Sequence, residues 1–108
     1  MINRKDAIDF SKKIKSNLKN IYGSNLKFLY LFGSYARNEA NEDSDIDIAV
    51  VLETLSNRYK EREKCSRLRA EISLENNCVF NLFFLQKKEL LTRDYALFRN
   101  ILNEGIII

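Results

Sequence analysis

Asp45 and Asp47 stand one residue apart at the head of an apolar run, Asp45-Ile46-Asp47-Ile48-Ala49-Val50-Val51-Leu52. In a strand, side chains alternate, so both carboxylates project from one face while Ile46 and Ile48 project from the other. Two like charges so placed repel each other, and Arg37 is the only basic side chain between Lys27 and Arg58. A divalent cation relieves the repulsion better, since Mg²⁺ takes carboxylate oxygens together with substrate phosphates. Upstream of Asp45, and separated from it by ten residues, Gly33-Ser34 closes a second apolar run, Leu26 to Phe32. Glycine there lets the backbone approach an anion, and the Ser34 hydroxyl with successive backbone N–H groups entering a helix can hold phosphate. A phosphate cradle facing a metal site implies metal-assisted chemistry on a phosphorylated substrate.

Neighbouring polar residues have two readings each. Arg37 contacts a phosphate or steadies the acidic loop by pairing with Asp43. Ser44 is either a turn hydroxyl bonded to local backbone or a substrate contact. The aromatics Phe28, Tyr30, Phe32, Phe80, Phe83 and Phe84 fall in strand-like runs, where packing explains them. Tyr35 follows the Gly-Ser and is a candidate to line the site.

Those residues need elements to position them. Ala7, Phe10, Ile14, Leu18 and Ile21 recur at helical spacing, ended by Gly23. Leu26–Phe32 reads as a strand covered on both faces, and Gly33–Ser44 as a connection with a short helical stretch over Tyr35–Asn38. Residues 45–52 form a second strand. Residues 57–74, with Tyr59, Leu68 and Ile72 as apolar positions, form an amphipathic helix. Asn76-Asn77 make a turn, and residues 78–85 a third strand. Leu90, Leu91, Ala96, Leu97, Ile101 and Leu102 return to helical spacing, closed by Gly105 before a tail, Ile106–Ile108, that either frays or docks. The expected architecture is α+β: one domain over residues 1–108, a small mixed sheet with helices packed on it, in the order α-β-turn-β-α-β-α.

Composition narrows the alternatives. The chain has 108 residues, 18 basic and 15 acidic side chains and a net charge of +3. That balance does not predict wholesale nucleic-acid binding. Residues 28–56 hold six acids against one base, an acidic block inside a basic chain. With no histidine, and with Cys65 and Cys78 far from any CxxC spacing, His-dependent triads and zinc sites are excluded. No apolar run approaches a bilayer span and the N-terminal residues hold no apolar signal core, so the expected setting is a reducing cytoplasm with no membrane contact.

The stretch LFGSYARNEANEDSDIDIAVV, residues 31–51, resembles the nucleotidyltransferase superfamily that includes DNA polymerase beta, and within it the minimal, MntA-like antitoxins encoded beside HEPN-domain toxins. The resemblance runs through the whole element order to FRNILNEGI near the C-terminus. It implies that Gly33 and Ser34 bind a triphosphate, with Arg37 and Ser44 nearby. It also implies that Asp45 and Asp47 hold two Mg²⁺ ions, and that a nucleoside monophosphate passes from a nucleoside triphosphate such as ATP to a hydroxyl. The acceptor it implies is a tyrosine of a partner HEPN toxin, in a hetero-oligomer or beside a homodimer. Two positions depart from the family. Asn38 replaces a usual glycine, a change that asparagine's access to left-handed backbone accommodates. Asn81 replaces a usual third carboxylate; its amide oxygen can coordinate, but it cannot act as general base. A binding module that neutralises its partner by occlusion is therefore the alternative to the enzyme. A small-molecule acceptor such as an aminoglycoside is disfavoured, because such enzymes need a further domain.

Overall fold

The computed structural model describes residues 3–108; Met1 and Ile2, counted in the expected domain, lie outside the described residues. Helix α1 (Arg4–Tyr22) starts at a reciprocal cap in which Asn3 accepts from the Asp6 N–H and the Asp6 carboxylate accepts from the Asn3 N–H. Its inward stripe is Ala7, Phe10, Ile14 and Leu18. Ile21 is exposed instead of continuing that stripe, because Tyr22, four residues after Leu18, takes the position against the core.

Three strands and a terminal partner make the sheet: β1 (Leu26–Phe32), β2 (Ile46–Leu52), β3 (Phe80–Gln86) and β4 (Ile106–Ile107), in the order β3-β2-β1-β4. β1 runs antiparallel to β2 and β4, while β2 and β3 are parallel. Both faces are covered, as the near-continuous apolar runs require. Ile46, Ile48, Val50 and Leu52 pack with α1 on one side; Ala49 and Val51 pack on the other with Leu90, Phe98 and Ile101. This is the expected mixed α+β architecture.

Three expectations on individual elements change, and the alternative left open for the tail is decided. The segment expected as one helix over 57–74 is two, α2 (Arg58–Lys64) and α3 (Ser66–Asn76). Its apolar residues do not form one stripe: Tyr59 is exposed, and the buried anchors are Ile72 and Cys65, the latter with a ψ of −1° where the helix breaks. The last helical region also divides, into α4 (Lys87–Thr92) and α5 (Ala96–Glu104), because Arg93 and Tyr95 are extended. The Ile106–Ile108 tail does not fray. It docks on its own sheet, with Ile106 opposite Leu31, Ile107 opposite Tyr30, and the Ile108 N–H donating to Leu29 C=O at 2.9 Å. Finally, the stretch after Gly33 is a turn rather than a helix.

Candidate active site

β1 ends and β2 begins at the same end of the sheet, so the Gly33 turn lies directly over the acidic pair. Gly33 has φ +76°, and a Cβ there would sit 2.6 Å from Asp47 Oδ2. Both the backbone conformation and the closeness of the carboxylate demand glycine. The turn that follows is closed by the Glu39 N–H donating to Ser34 C=O at 2.8 Å and the Asn38 N–H to Tyr35 C=O at 3.3 Å. These are the paired bonds of a helix-terminating motif, with Asn38 in the left-handed position at φ 60°. Asn38 thus takes the left-handed conformation that glycine adopts most readily.

Asp45 is exposed just ahead of β2, and Asp47 is half-buried within it. Phe32 of β1 and Asn81 of β3 flank Asp47 in register. The parallel pairing delivers the Asn81 amide between the acids: Nδ2 donates to Asp47 Oδ1 at 3.1 Å and to Asp45 Oδ2 at 3.3 Å. Phe32 and Phe83 stack edge to face on the same side of the sheet, 5.3 Å between centroids, and supply an apolar wall. Burial pushes the Asp47 carboxyl above its ordinary range and the Asp45 charge adds to this, while the Asn81 hydrogen bond and the Arg37 charge act the other way. Among the described residues neither acid forms a salt bridge.

Arg37 is turned elsewhere. Its Nε meets Glu39 at 3.0 Å and its Nη1 meets Glu104 of α5 at 3.2 Å, so the expected pairing with Asp43 is not formed. Ser44 serves the turn: its hydroxyl accepts from the Asn41 N–H at 2.9 Å, which is the local-backbone reading of that residue. Tyr35 is buried in the core cluster and also borders a cleft of about 840 Å³ beside Asp43, Ser44 and Asp45. Sequence reasoning missed Glu104, which fixes Arg37 from 67 residues away; nothing in the local pattern around Glu104 signals that role.

The donor set suits a hard cation. No group of three or more His, Cys, Asp or Glu gathers among the described residues, so two carboxylates and one amide are what the site offers. All three present oxygen once the Asn81 amide turns Oδ1 inward, and among the described residues neither charge is paired with a side-chain cation, Arg37 acting on Asp47 only at a distance. A left-handed glycine turn laid over two carboxylates at the end of a mixed sheet has the donors and the close backbone approach that metal-assisted transfer of a phosphate-containing group needs.

Comparison with known proteins gives that class its family. The family described as polymerase beta, nucleotidyltransferase, matches residues 12–108, and the chain belongs to it. Two Methanocaldococcus jannaschii proteins named as protein adenylyltransferases are similar: one is 30% identical over 90% of this chain and 92% of its own, the other 27% identical over 76% and 82%. A crystal structure of a Sulfolobus solfataricus nucleotidyltransferase superposes with a TM-score of 0.68 at 21% identity, over 96% of this chain and 80% of that one. A toxin–antitoxin structure with AMP-PNP superposes at 0.58 with 27% identity, over 91% and 70%. The structure of a tri-AMPylated Shewanella oneidensis HEPN toxin in complex with MNT antitoxin gives 0.57 at 24% identity, over 94% and 70%. No helix among the described residues is long and apolar enough to cross a membrane.

Proposed function

We propose that this chain transfers AMP from ATP, with Mg²⁺, to a tyrosine hydroxyl of a partner HEPN-type toxin and thereby acts as its antitoxin. The observation that carries the reading is the Gly33 turn set against Asp47, with Asp45 and Asn81 converging on the same point. Asp45 and Asp47 hold the metal, and Gly33 and Ser34 receive the triphosphate. When bound, Mg²⁺ neutralises charge on the attacking and leaving oxygens. The acceptor oxygen bonds to the α-phosphorus, the bond to the bridging oxygen breaks, and pyrophosphate leaves. Asn81 cannot take the acceptor's proton, so the proton passes to water. The protein acceptor is supported by the similar proteins named as protein adenylyltransferases and by the toxin–antitoxin structure with AMP-PNP.

A second reading, inhibition by occlusion without transfer, is favoured by one feature: a neutral amide bridges the two acids where a third carboxylate would raise their affinity for metal. One experiment separates the two. ATP labelled at the α-phosphate is incubated with Mg²⁺, the chain and a HEPN-type toxin. Label on a toxin tyrosine, lost in Asp45→Asn/Asp47→Asn, supports the enzyme. Neutralisation of the toxin without label supports occlusion.

A further inference from the structure

A groove of about 550 Å³ begins at Asn81 and follows β3, the open edge of the sheet, between the α2–α3 pair and Leu97 of α5. Its floor is apolar, formed by Leu82, Phe83, Phe84 and Leu85, while Arg58, Arg62 and Arg69 stand on its rim against a single acid, Glu63. Arg58 already has partners: it donates to the Phe84 carbonyl at 2.7 Å and lies 3.6 Å from Glu89. Arg62 and Arg69 form no salt bridge among the described residues, and both are exposed. Two unneutralised guanidinium groups above an apolar floor call for a ligand that is acidic and also has apolar surface to bury.

We propose that this groove seats an extended, acidic polypeptide segment of the acceptor protein and feeds its hydroxyl to the carboxylates at the Asn81 end. Away from Phe84, whose carbonyl Arg58 already occupies, the β3 edge is a template for an extended chain, whose backbone supplies hydrogen bonds. Position supports the same occupant. Asn81 is common to the groove and the acidic pair, so a chain lying along β3 runs directly into the reaction centre. The charges favour the same seat: the carboxylates of an acidic segment are attracted by Arg62 and Arg69 on the rim, which stand apart from Asp45 and Asp47. The proposal rests on the transferase reading for the direction of the chain, and the groove can be tested apart from it.

The probes are a fluorescent random glutamate–tyrosine copolymer, a lysine–tyrosine copolymer and a single-stranded oligoadenylate, each titrated by anisotropy against the intact chain and against Arg62→Glu/Arg69→Glu. Both positions are solvent-exposed, so the variant is expected to fold normally. The glutamate copolymer should bind, and the variant should weaken it by about tenfold or more. Thermal stabilisation by Mg²⁺ and ATP should be the same in both proteins. Equal binding of the lysine copolymer, preference for the oligoadenylate, or unchanged glutamate-copolymer affinity in the variant would each overturn the proposal. Loss of the Mg²⁺–ATP response in the variant would assign the groove to the nucleotide and also overturn it. If neither protein responds to Mg²⁺ and ATP, the transferase reading fails, while the copolymer titration still decides whether the groove takes acidic chains.

Discussion

Two polar clusters border the core and solve opposite problems. At one end of the sheet, Tyr22 donates to Glu61 at 2.8 Å and lies 3.5 Å from the Cys65 sulfur, while Lys64 meets Glu61 at 3.6 Å and stands over the Tyr22 ring. Every member has a partner of matching character; burial and these contacts together push the Tyr22 phenol far up, so it stays neutral and donates. At the other end, Asp45 and Asp47 share one neutral amide and, among the described residues, form no salt bridge. The first cluster closes on itself and supports the fold. The second is left electrostatically open, which is what a metal and a phosphate substrate require.

The largest effect should come from removing the open charges. Asp45→Asn/Asp47→Asn is expected to reduce transfer of labelled nucleotide by about 10³-fold or more, since metal-borne charge stabilisation is worth several kcal/mol. The same variant should abolish the rise in melting temperature on adding Mg²⁺; a rise that persists would place the ion elsewhere. Completing the acidic set tests the same contrast in the other direction. Asn81→Asp should speed transfer by about 10²-fold by supplying a proton acceptor, and should lower metal-free stability through like-charge repulsion that Mg²⁺ relieves. A variant indifferent to Mg²⁺, with no gain in rate, would mean that position 81 does not take part.

Gly33→Ala should cost about 1–3 kcal/mol in chemical denaturation, because its φ is left-handed and the new methyl meets Asp47 Oδ2. Tyr22→Phe should cost about 1 kcal/mol and leave transfer untouched, as the closed cluster is structural; a fall in transfer would break the contrast between the two ends. The smallest effect concerns pH. Without metal, the folded Asp47 carboxyl titrates above its unfolded value of 3.8, so the native state holds the proton more tightly. Stability therefore falls as pH rises from the unfolded value through the raised folded one. Denaturation midpoints of Asp47→Asn measured across that window should lack this decline.

Much of the candidate site's geometry was legible because it is local. A strand's two-residue period puts Asp45 and Asp47 on one side, and a strand that ends in Gly33-Ser34 announces a turn with unusual backbone. Asn38 adopts the left-handed conformation expected of it. Helix breaks were less legible, because whether residues 57–74 continue as one helix depends on what Cys65 finds to pack against, and its neighbour Tyr22 lies 43 positions away.

The sequence by itself determined three of the four strands to within two residues, the acidic pair, the glycine turn and the family they resemble, since each is written in neighbouring residues whose periods and backbone preferences act over a few positions. Only the tertiary structure decided that Asn81 bridges the two acids, that Arg37 is tied to Glu104, that the final isoleucines close the β1 edge, and that β3 is left at the sheet's edge beside two arginines without a salt bridge among the described residues. Those outcomes depend on strand order and register, set when distant apolar faces find one burial arrangement, and no local pattern encodes which polar groups that arrangement brings together.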